Sequence, residues 1–298
     1  MSGTGMFGGD PVAEASAILA RAVDDHRPVA VVGLFSGGTD SHCATQLASE
    51  VVPLKFVAHI NTQTGIRQTL EHVRATCAAK GWALREYTPP MIRQFGGRTR
   101  LVTPAHPDAR TAYEAYCYHF GMPGPRQHTM VYQRLKDRCV ARITRELKRR
   151  RGDRVLFVSG VRRSESKRRM GYDQPVQVEG GRVWVAPLLF WSDADKEGYM
   201  RSRGIVKSEV SRQLCMSGEC LCGCYASPGE LDEIALFFPE AAAYLRELTR
   251  RVRAANPKSR GWGERPPRKE KRKPADQPGQ RTIAGLCWSC EAKSEGNS

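Results

Sequence analysis

The segment "PVAVVGLFSGGTDSHCATQL" at residues 28–47 decides the fold. Residues 28–35 form a short β-rich apolar run, which indicates a buried parallel strand, and residues 40–51 repeat apolar side chains at helical spacing. Two glycines flanked by hydroxyl side chains and one acid stand between them. Small residues at a helix N-terminus let backbone N–H groups converge on an anion, most often phosphate. The segment therefore predicts a strand, a phosphate-binding loop and a helix in succession.

The rest of the chain continues this alternation of strand and helix. Because β-α-β-α-β order favours a parallel sheet with crossover helices, we predict an α/β fold with a doubly wound parallel sheet. A Cys-rich helical or irregular extension follows it, so the predicted domains are 1–210 and 211–298. The predicted strands are 28–35, 53–60, 82–89, 154–160 and 181–189, and the predicted helices are 11–25, 40–51, 67–81, 130–151, 192–204 and 227–255, the last interrupted at Pro239.

The charge of the chain points to a polyanionic partner. The formal net charge is +16, and residues 142–169 and 251–281 carry nearly all of it. Two concentrated basic segments on a near-neutral body favour a nucleic acid, DNA or RNA, over a merely solvated surface. No run of 18 apolar residues and no secretory signal is found, so we expect a cytoplasmic protein with no membrane partner.

The loop at residues 36–41 has the chemistry of a nucleotide site. It lacks the lysine of the GxxxxGK[ST] loop and is not GxGxxG. Ser36, Thr39 and Ser41 add hydroxyl donors to the backbone amides of Gly37 and Gly38. Asp40 is a candidate ligand for a Mg²⁺ ion that bridges phosphate oxygens. The alternative is a glycine-rich turn with an Asp or Ser cap.

Four further segments give the loop a family context. "SGGTDS" matches the SGGxDS signature of the PP-loop ATP pyrophosphatases. The segments that resemble the phosphoadenosine phosphosulfate (PAPS) reductase-like branch of that family are "HINTQTGIRQT" (59–69), "VYQRLKDRCV" (131–140), "VSGVRRSESKRR" (158–169) and "VAPLLFWSDADKEGYMRSRGI" (185–205). The resemblance covers about residues 28–226 and implies an adenine nucleotide alpha-hydrolase-like fold, with the nucleotide across the carboxyl ends of the strands.

The resemblance also implies which residues act. The catalytic residues that it implies are Asp40, Arg162, Arg169 and Glu165, with Glu165 orienting an arginine. The nucleotide-binding residues that it implies are Phe35, Ser36, Gly37, Gly38, Thr39, Asp40, Ser41, Asn61, Thr62, Gly65, Gly160, Arg162 and Ser166. Arginines suit this role because their forked guanidinium matches phosphate or sulfate oxygens. The chain departs from the branch at Gln63, Thr64, Arg67 and Gln68, which bears on the substrate.

Six of the ten cysteines fall in two groups. The four scattered ones, Cys43, Cys77, Cys117 and Cys139, are expected in the core. The clustered ones are Cys215, Cys220, Cys222 and Cys224 in "CMSGECLCGCYA" and Cys287 and Cys290 in "CWSC". We predict that both groups together hold Zn²⁺ or an Fe–S cluster. The spacing does not separate the two metals, and the family resemblance favours a 4Fe-4S cluster. A leftover thiol is a candidate for sulfur transfer.

Three functions fit these observations. The first is a PP-loop enzyme that adenylates a nucleic acid with ATP, releases pyrophosphate and transfers sulfur from a sulfur donor protein. The second is a PAPS or adenylylsulfate reductase that produces sulfite. Against it, the chain has no Glu-Cys-Gly-Leu-His-like segment near its C-terminus. The third is a non-catalytic metal protein that binds nucleic acid, and the intact loop at residues 36–41 argues against it.

Overall fold

The computed structural model describes residues 9–91, 106–165 and 174–265 of the chain. Its centre is a six-stranded sheet in the order β3-β2-β1-β4-β6-β5. The strands are β1 Ala30–Leu34, β2 Phe56–Ile60, β3 Leu84–Tyr87, β4 Val155–Val158, β5 Val176–Glu179 and β6 Arg182–Val185. Five of them run parallel, which confirms the α/β doubly wound fold.

Ten α-helices are found in the described part of the chain, and most begin and end near the predicted positions. They are α1 Pro11–His26, α2 Thr39–Val51, α3 Arg67–Lys80, α4 Ala112–Phe120, α5 His128–Tyr132, α6 Arg138–Leu147, α7 Asp193–Arg203, α8 Glu209–Leu214, α9 Glu230–Phe237 and α10 Pro239–Ala255. The ends follow from local chemistry. Asp10 and Ser192 cap the first amides of α1 and α7, and Gly81 ends α3 in the left-handed conformation.

Two sequence predictions are corrected here. The predicted parallel fifth strand is β6, and it is preceded by the antiparallel edge strand β5, which the sequence analysis missed. The predicted helix at 130–151 is present as one helical run over residues 128–147, but it ends earlier than predicted and contains a π-helical turn at Gln133–Asp137 between α5 and α6. Pro239 divides α9 from α10 as predicted, since proline at the first position of a helix lacks only an amide that has no partner there.

The sheet is buried on both faces. Val31, Leu156 and Val183 pack with α1, α2 and α7 on one face, whereas Val32 and Phe157 pack with α6 on the other. This explains why the central strands are continuous apolar runs without alternation. No helix in the described residues is long and apolar enough to cross a membrane.

A third apolar cluster joins α4, α9 and α10 to residues 215–226, which we call the cysteine segment. It includes Tyr113 and Tyr116 of α4, Leu221 of the cysteine segment, Leu245 of α10 and Trp262 beyond it. The Tyr113 hydroxyl donates to the Cys222 carbonyl at 2.9 Å, and the Trp262 indole donates to the Leu221 carbonyl at 2.8 Å. The cysteine segment is thus a packed part of the fold. The boundary at residue 210 stays a prediction.

Candidate functional site

A cleft of about 640 Å³ opens at the carboxyl ends of the central strands. The strand order reverses between β1 and β4, since β2 lies on the other side of β1 and β6 on the other side of β4. Open parallel sheets bind ligands at such a reversal, because the loops of the two strands diverge to opposite faces. Among the predicted catalytic and nucleotide-binding residues, those that line the cleft are Phe35, Ser36, Gly38, Thr39, Asp40, Ser41, Gly160 and Arg162.

The loop between β1 and α2 is held by its own hydroxyl groups. The Ser41 hydroxyl donates to the Gly38 carbonyl at 2.8 Å and lies 3.0 Å from the Ser36 hydroxyl. Gly37 has φ +85°, and a Cβ there would lie 2.7 Å from the Thr69 methyl group. Only glycine satisfies both conditions. The loop therefore presents hydroxyls and the amides of the first turn of α2 to the cleft, as a phosphate site requires.

Gly160 brings the loop after β4 against the first turn of α2. A Cβ at residue 160 would lie 2.5 Å from the carbonyl carbon of Asp40 and would overlap the amide nitrogen of Ser41. This close approach explains why residue 160 is glycine. It also sets the distance between the loop at residues 36–41, which we call the phosphate-type loop, and the loop after β4, which we call the β4 loop and which carries Arg162.

Arg162 is the centre of a buried ionic network. Its Nε lies 3.1 Å from Asp40 Oδ1, its second terminal nitrogen donates to Asp193 at 2.9 Å, and only 3% of its side chain is exposed. Burial alone would lower the pKa of Arg162, but the carboxylates of Asp40 and Asp193 outweigh it and raise that pKa. Lys196 adds a second cation 3.5 Å from Asp40.

Three other predicted nucleotide-binding residues, Asn61, Thr62 and Gly65, lie in the loop after β2 and are not among the residues that line the cleft. The Thr62 hydroxyl donates to the Glu219 carbonyl at 2.7 Å, and a Cβ at Gly65 would lie 2.5 Å from that same oxygen. The Asn61 side chain accepts from the Gln63 amide at 2.9 Å. Thr62 and Gly65 thus hold the cysteine segment against the loop after β2 and do not line the cleft.

The cysteine segment also contacts the phosphate-type loop. Thr69 donates to the Ser217 carbonyl at 2.8 Å, and the Ile66 amide donates to the Gly218 carbonyl at 2.8 Å. A Cβ at Gly38 would lie 3.0 Å from the Cβ of Ser217. The exposed Cys215 lines the same cleft as the loop at residues 36–41. A thiol and an anion-binding loop therefore share one cavity.

The remaining clustered cysteines lie deeper in the cysteine segment. The hydrogen bond that the Cys220 thiol donates to Cys222, together with burial, raises the pKa of Cys220 well above its usual value. Cys224 is buried. In residues 9–91, 106–165 and 174–265, no three His, Cys, Asp or Glu side chains form a group that could hold a metal ion. The predicted metal site also needs Cys287 and Cys290, which lie outside the described residues.

The four scattered cysteines are buried, as the sequence analysis expected. Burial raises the pKa of the Cys43 and Cys139 thiols to about 12 and that of Cys77 to about 11, so these three thiols stay protonated. Three predicted residues of the β4 loop remain untested. Ser166 and Arg169 lie outside the described residues, and Glu165 ends a short 3-10 turn at Arg163–Glu165.

Five charged cleft residues were not singled out from the sequence: Lys136, Asp193, Lys196, Lys207 and Glu219. Lys136 donates to Glu219 at 2.7 Å, and the side chain of Glu219 is only 4% exposed. Burial by itself would lower the pKa of Lys136, but the Glu219 carboxylate has the larger effect and raises that pKa, so Lys136 stays charged. Lys136 and Lys196 stand in segments that carried the family resemblance, whereas no sequence signal marked Glu219.

The similarity of this chain to known proteins is distant. No family model matches the chain, and no curated protein matches it. The chain is similar to a PAPS reductase from Candida auris, with 19% identity, a TM-score of 0.45 and coverage of 67% of this chain and 84% of that one.

Two other similar structures have other activities in their names. An FMN adenylyltransferase from Candida glabrata shares 13% identity at a TM-score of 0.40, with 68% of this chain and 60% of that chain covered. The U34-tRNA thiolase NcsA from Methanococcus maripaludis, with its 4Fe-4S cluster, shares 12% identity at 0.41, with 82% and 78% covered. Each of these three identities is below 20%.

Proposed function

We propose that this chain is an enzyme that binds an adenine nucleotide in the cleft and uses ATP to drive sulfur transfer to a nucleic acid. One observation carries the proposal: a loop suited to binding phosphate and a cysteine thiol line the same cavity. The loop at residues 36–41 offers amides and hydroxyls for phosphates, and Cys215 of the cysteine segment lines the same cleft. Ser217, two residues on, packs against that loop at Gly38.

The reaction has three displacements. An oxygen of the nucleic acid attacks the α-phosphorus of ATP and forms an adenylated acceptor, while pyrophosphate leaves. The terminal sulfur of a persulfide on a donor protein then attacks the activated position, and AMP leaves with the oxygen. The Cys215 thiol finally attacks the donor-side sulfur of the resulting disulfide, which breaks the S–S bond, leaves the transferred sulfur on the nucleic acid and joins Cys215 to the donor protein as a disulfide. Arg162 and Lys196 suit the charge that develops at the phosphate, because preorganised cations stabilise phosphate oxygens without rearranging.

The residues fit a nucleotide better than they fit a bound Mg²⁺. The small loop residues leave room for phosphates, and a Cβ at Gly38 would take up space beside Ser36 and Ser217. In contrast, Asp40 Oδ1 already faces cations at 3.1 and 3.5 Å, so this oxygen does not suit a further cation. No step above depends on Mg²⁺. An Fe–S cluster or Zn²⁺ would supply or hold sulfur, and its predicted ligands remain the six clustered cysteines.

Product analysis tests the proposal. The full-length protein is incubated with ATP or PAPS separately, in the presence of single-stranded nucleic acid and a persulfide-loaded donor. We expect pyrophosphate and AMP from ATP, and sulfur in the nucleic acid. Sulfite from PAPS with no turnover of ATP would overturn the proposal in favour of the reductase. The Gly38→Val variant is the matched control, because its β-branched side chain fills the loop cradle against Ser217.

A further inference from the structure

Three aromatic rings form a row that runs from the surface to the mouth of the cleft. The His128 ring lies 6.2 Å from the Tyr132 ring and 4.8 Å from the Tyr225 ring, measured between ring centroids. Tyr132 and Tyr225 are 41% and 46% exposed. Among the large hydrophobic residues that are exposed in the described chain, only two other aromatics occur, Phe120 and Phe237. Exposed rings this close together are not explained by core packing.

The row is directed into the cleft by the fold. His128 and Tyr132 stand four residues apart on α5, so they share one face of that helix. Tyr132 lines the cleft, and Lys136, in the following π-helical turn, lines it too. Tyr225 is brought to His128 by the cysteine segment, whose position depends on the contacts of Leu221 and Cys222. Two distant parts of the chain therefore build the row together.

Cations accompany the rings. Lys136 lines the cleft together with Tyr132 and pairs with Glu219 at 2.7 Å, and Arg182 pairs with Asp137 at 2.6 Å. Lys207 also lines the cleft, and Arg126 is exposed two residues before His128. Together with the net charge of +16, this favours a polyanion with flat aromatic groups over an apolar protein surface.

We propose that the aromatic row of Tyr132, His128 and Tyr225 is a stacking platform for the bases of single-stranded nucleic acid, which it guides into the cleft. This inference rests on the proposed function, because it describes how the acceptor reaches the nucleotide. Base faces are available for stacking only when the strand is unpaired, and every base offers such a face. The platform therefore selects single strands over duplexes, with little preference for sequence.

Binding of labelled oligonucleotides to the full-length protein tests the platform. Fluorescence anisotropy is measured with mixed-sequence single-stranded DNA, single-stranded RNA and the corresponding duplexes, at two salt concentrations. We expect the Tyr225→Ala variant to bind single strands roughly fivefold to a hundredfold more weakly, with an unchanged salt slope because no charge is lost. Tyr225→Phe retains the ring and should bind as the unmodified protein does. Phe237→Ala, at an aromatic residue that is also 46% exposed, is the matched control.

The outcomes separate this inference from the proposed function. ATP affinity is measured on the same proteins by calorimetry. A protein that binds ATP but binds duplexes as well as single strands, or a Tyr225→Ala variant with undiminished single-strand affinity, overturns the platform and leaves the nucleotide site standing. A protein that binds single strands through Tyr225 but does not bind ATP supports the platform and contradicts the proposed function. A stronger affinity for RNA than for DNA, or the reverse, identifies the kind of strand that the platform serves.

Discussion

The Nε of Arg162 lies 3.1 Å from Oδ1 of Asp40, and this contact joins the loop after β4 to the first turn of α2. The two residues are separated by more than a hundred positions in the sequence, yet they meet where the strand order of the sheet reverses. Because Arg162 is almost fully buried, the pair fixes the relative position of the two loops that border the cleft.

Replacement of Gly160 by alanine should impair the nucleotide site. The added methyl group would overlap the peptide between Asp40 and Ser41 and push the phosphate-type loop away. We expect turnover of the nucleotide to fall on the order of 10²-fold, since small displacements of reacting groups have effects of this size. Gly152→Ala is the control, because a Cβ there meets no atom within 4 Å. Equal turnover by the two variants in a pyrophosphate-release assay would contradict the loop assignment.

Arg162→Ala should destabilise the fold far more than Asp193→Asn. Removal of the buried guanidinium leaves the Asp40 carboxylate without its nearest cation, and such losses cost about 3–5 kcal/mol. Asp193 has a side chain that is 73% exposed, so its pairing with Arg162 contributes only about 0–1 kcal/mol. Urea denaturation of both variants measures the difference. Similar free energies of unfolding would show that the network around Arg162 is not the support described here.

The free energy of unfolding should fall with acidification because of His42. Burial, and then the charges of His72 and Lys80, lower the pKa of His42 to about 4. In the unfolded chain the pKa of His42 is about 6.5, so below that pH the unfolded state binds more protons than the folded state does and is favoured. The contribution of neutral His42 to the free energy of unfolding is complete above a pH of about 6.5. It declines by up to about 1.4 kcal/mol per pH unit as the pH falls toward the pKa of His42 in the folded protein.

His42→Phe isolates this effect. Phenylalanine keeps an apolar ring beside Phe35 and Trp82, which lie 5.2 and 5.9 Å from the His42 ring, but cannot be protonated. Urea titrations at several pH values between 4 and 7 should show a shallower dependence for the variant. The lowered pKa of His72 leaves a residual slope. A pH dependence that the substitution does not alter would contradict the role of His42.

The two groups of cysteines should share one metal centre. Neither group is sufficient alone, because "CWSC" supplies two thiols and the described cysteines do not form a group of three that could hold a metal ion. We expect zinc or an Fe–S cluster after anaerobic purification, and its loss in a Cys287→Ala, Cys290→Ala double variant. Metal analysis and visible absorbance measure it. Cys77→Ala serves as the control, since this thiol is buried between α3 and the sheet. Retention of the metal in the double variant would rule out a shared centre.

Deletion of residues 266–281 should weaken the salt dependence of nucleic-acid binding. Residues 251–281 form one of the two basic segments, but Arg251 and Arg253 belong to α10 and pair with Glu114 and Glu264. Each phosphate that the deleted lysines and arginines neutralise adds about 0.7–0.9 to the slope of log affinity against log salt. A slope that the deletion leaves unchanged would place the phosphate contacts elsewhere on the protein.

Sequence by itself determined the strands, helices and loop chemistry that depend on neighbours along the chain. Apolar runs predicted β1 to β4, helical spacing predicted α1 to α3, and the small residues at 36–41 predicted an anion site, because these signals are local. The family resemblance also implied that Asp40 and Arg162 serve the same nucleotide site. The π-helical turn and the antiparallel β5 left no clear local pattern, since packing and strand pairing decide both.

The tertiary structure alone decided what the cysteine segment does. Nothing in the order of residues places Ser217 against Gly38, Glu219 against Lys136 or Tyr225 beside His128. These contacts join parts of the chain that lie 80 or more residues apart, and they form only when α4, α9 and α10 pack around the segment. Thr62 and Gly65 show the same limit, because their motif indicated a nucleotide while their hydrogen bonding and close packing serve the segment. The sequence shows which functional groups a chain carries, and long-range packing decides which of those groups come into contact.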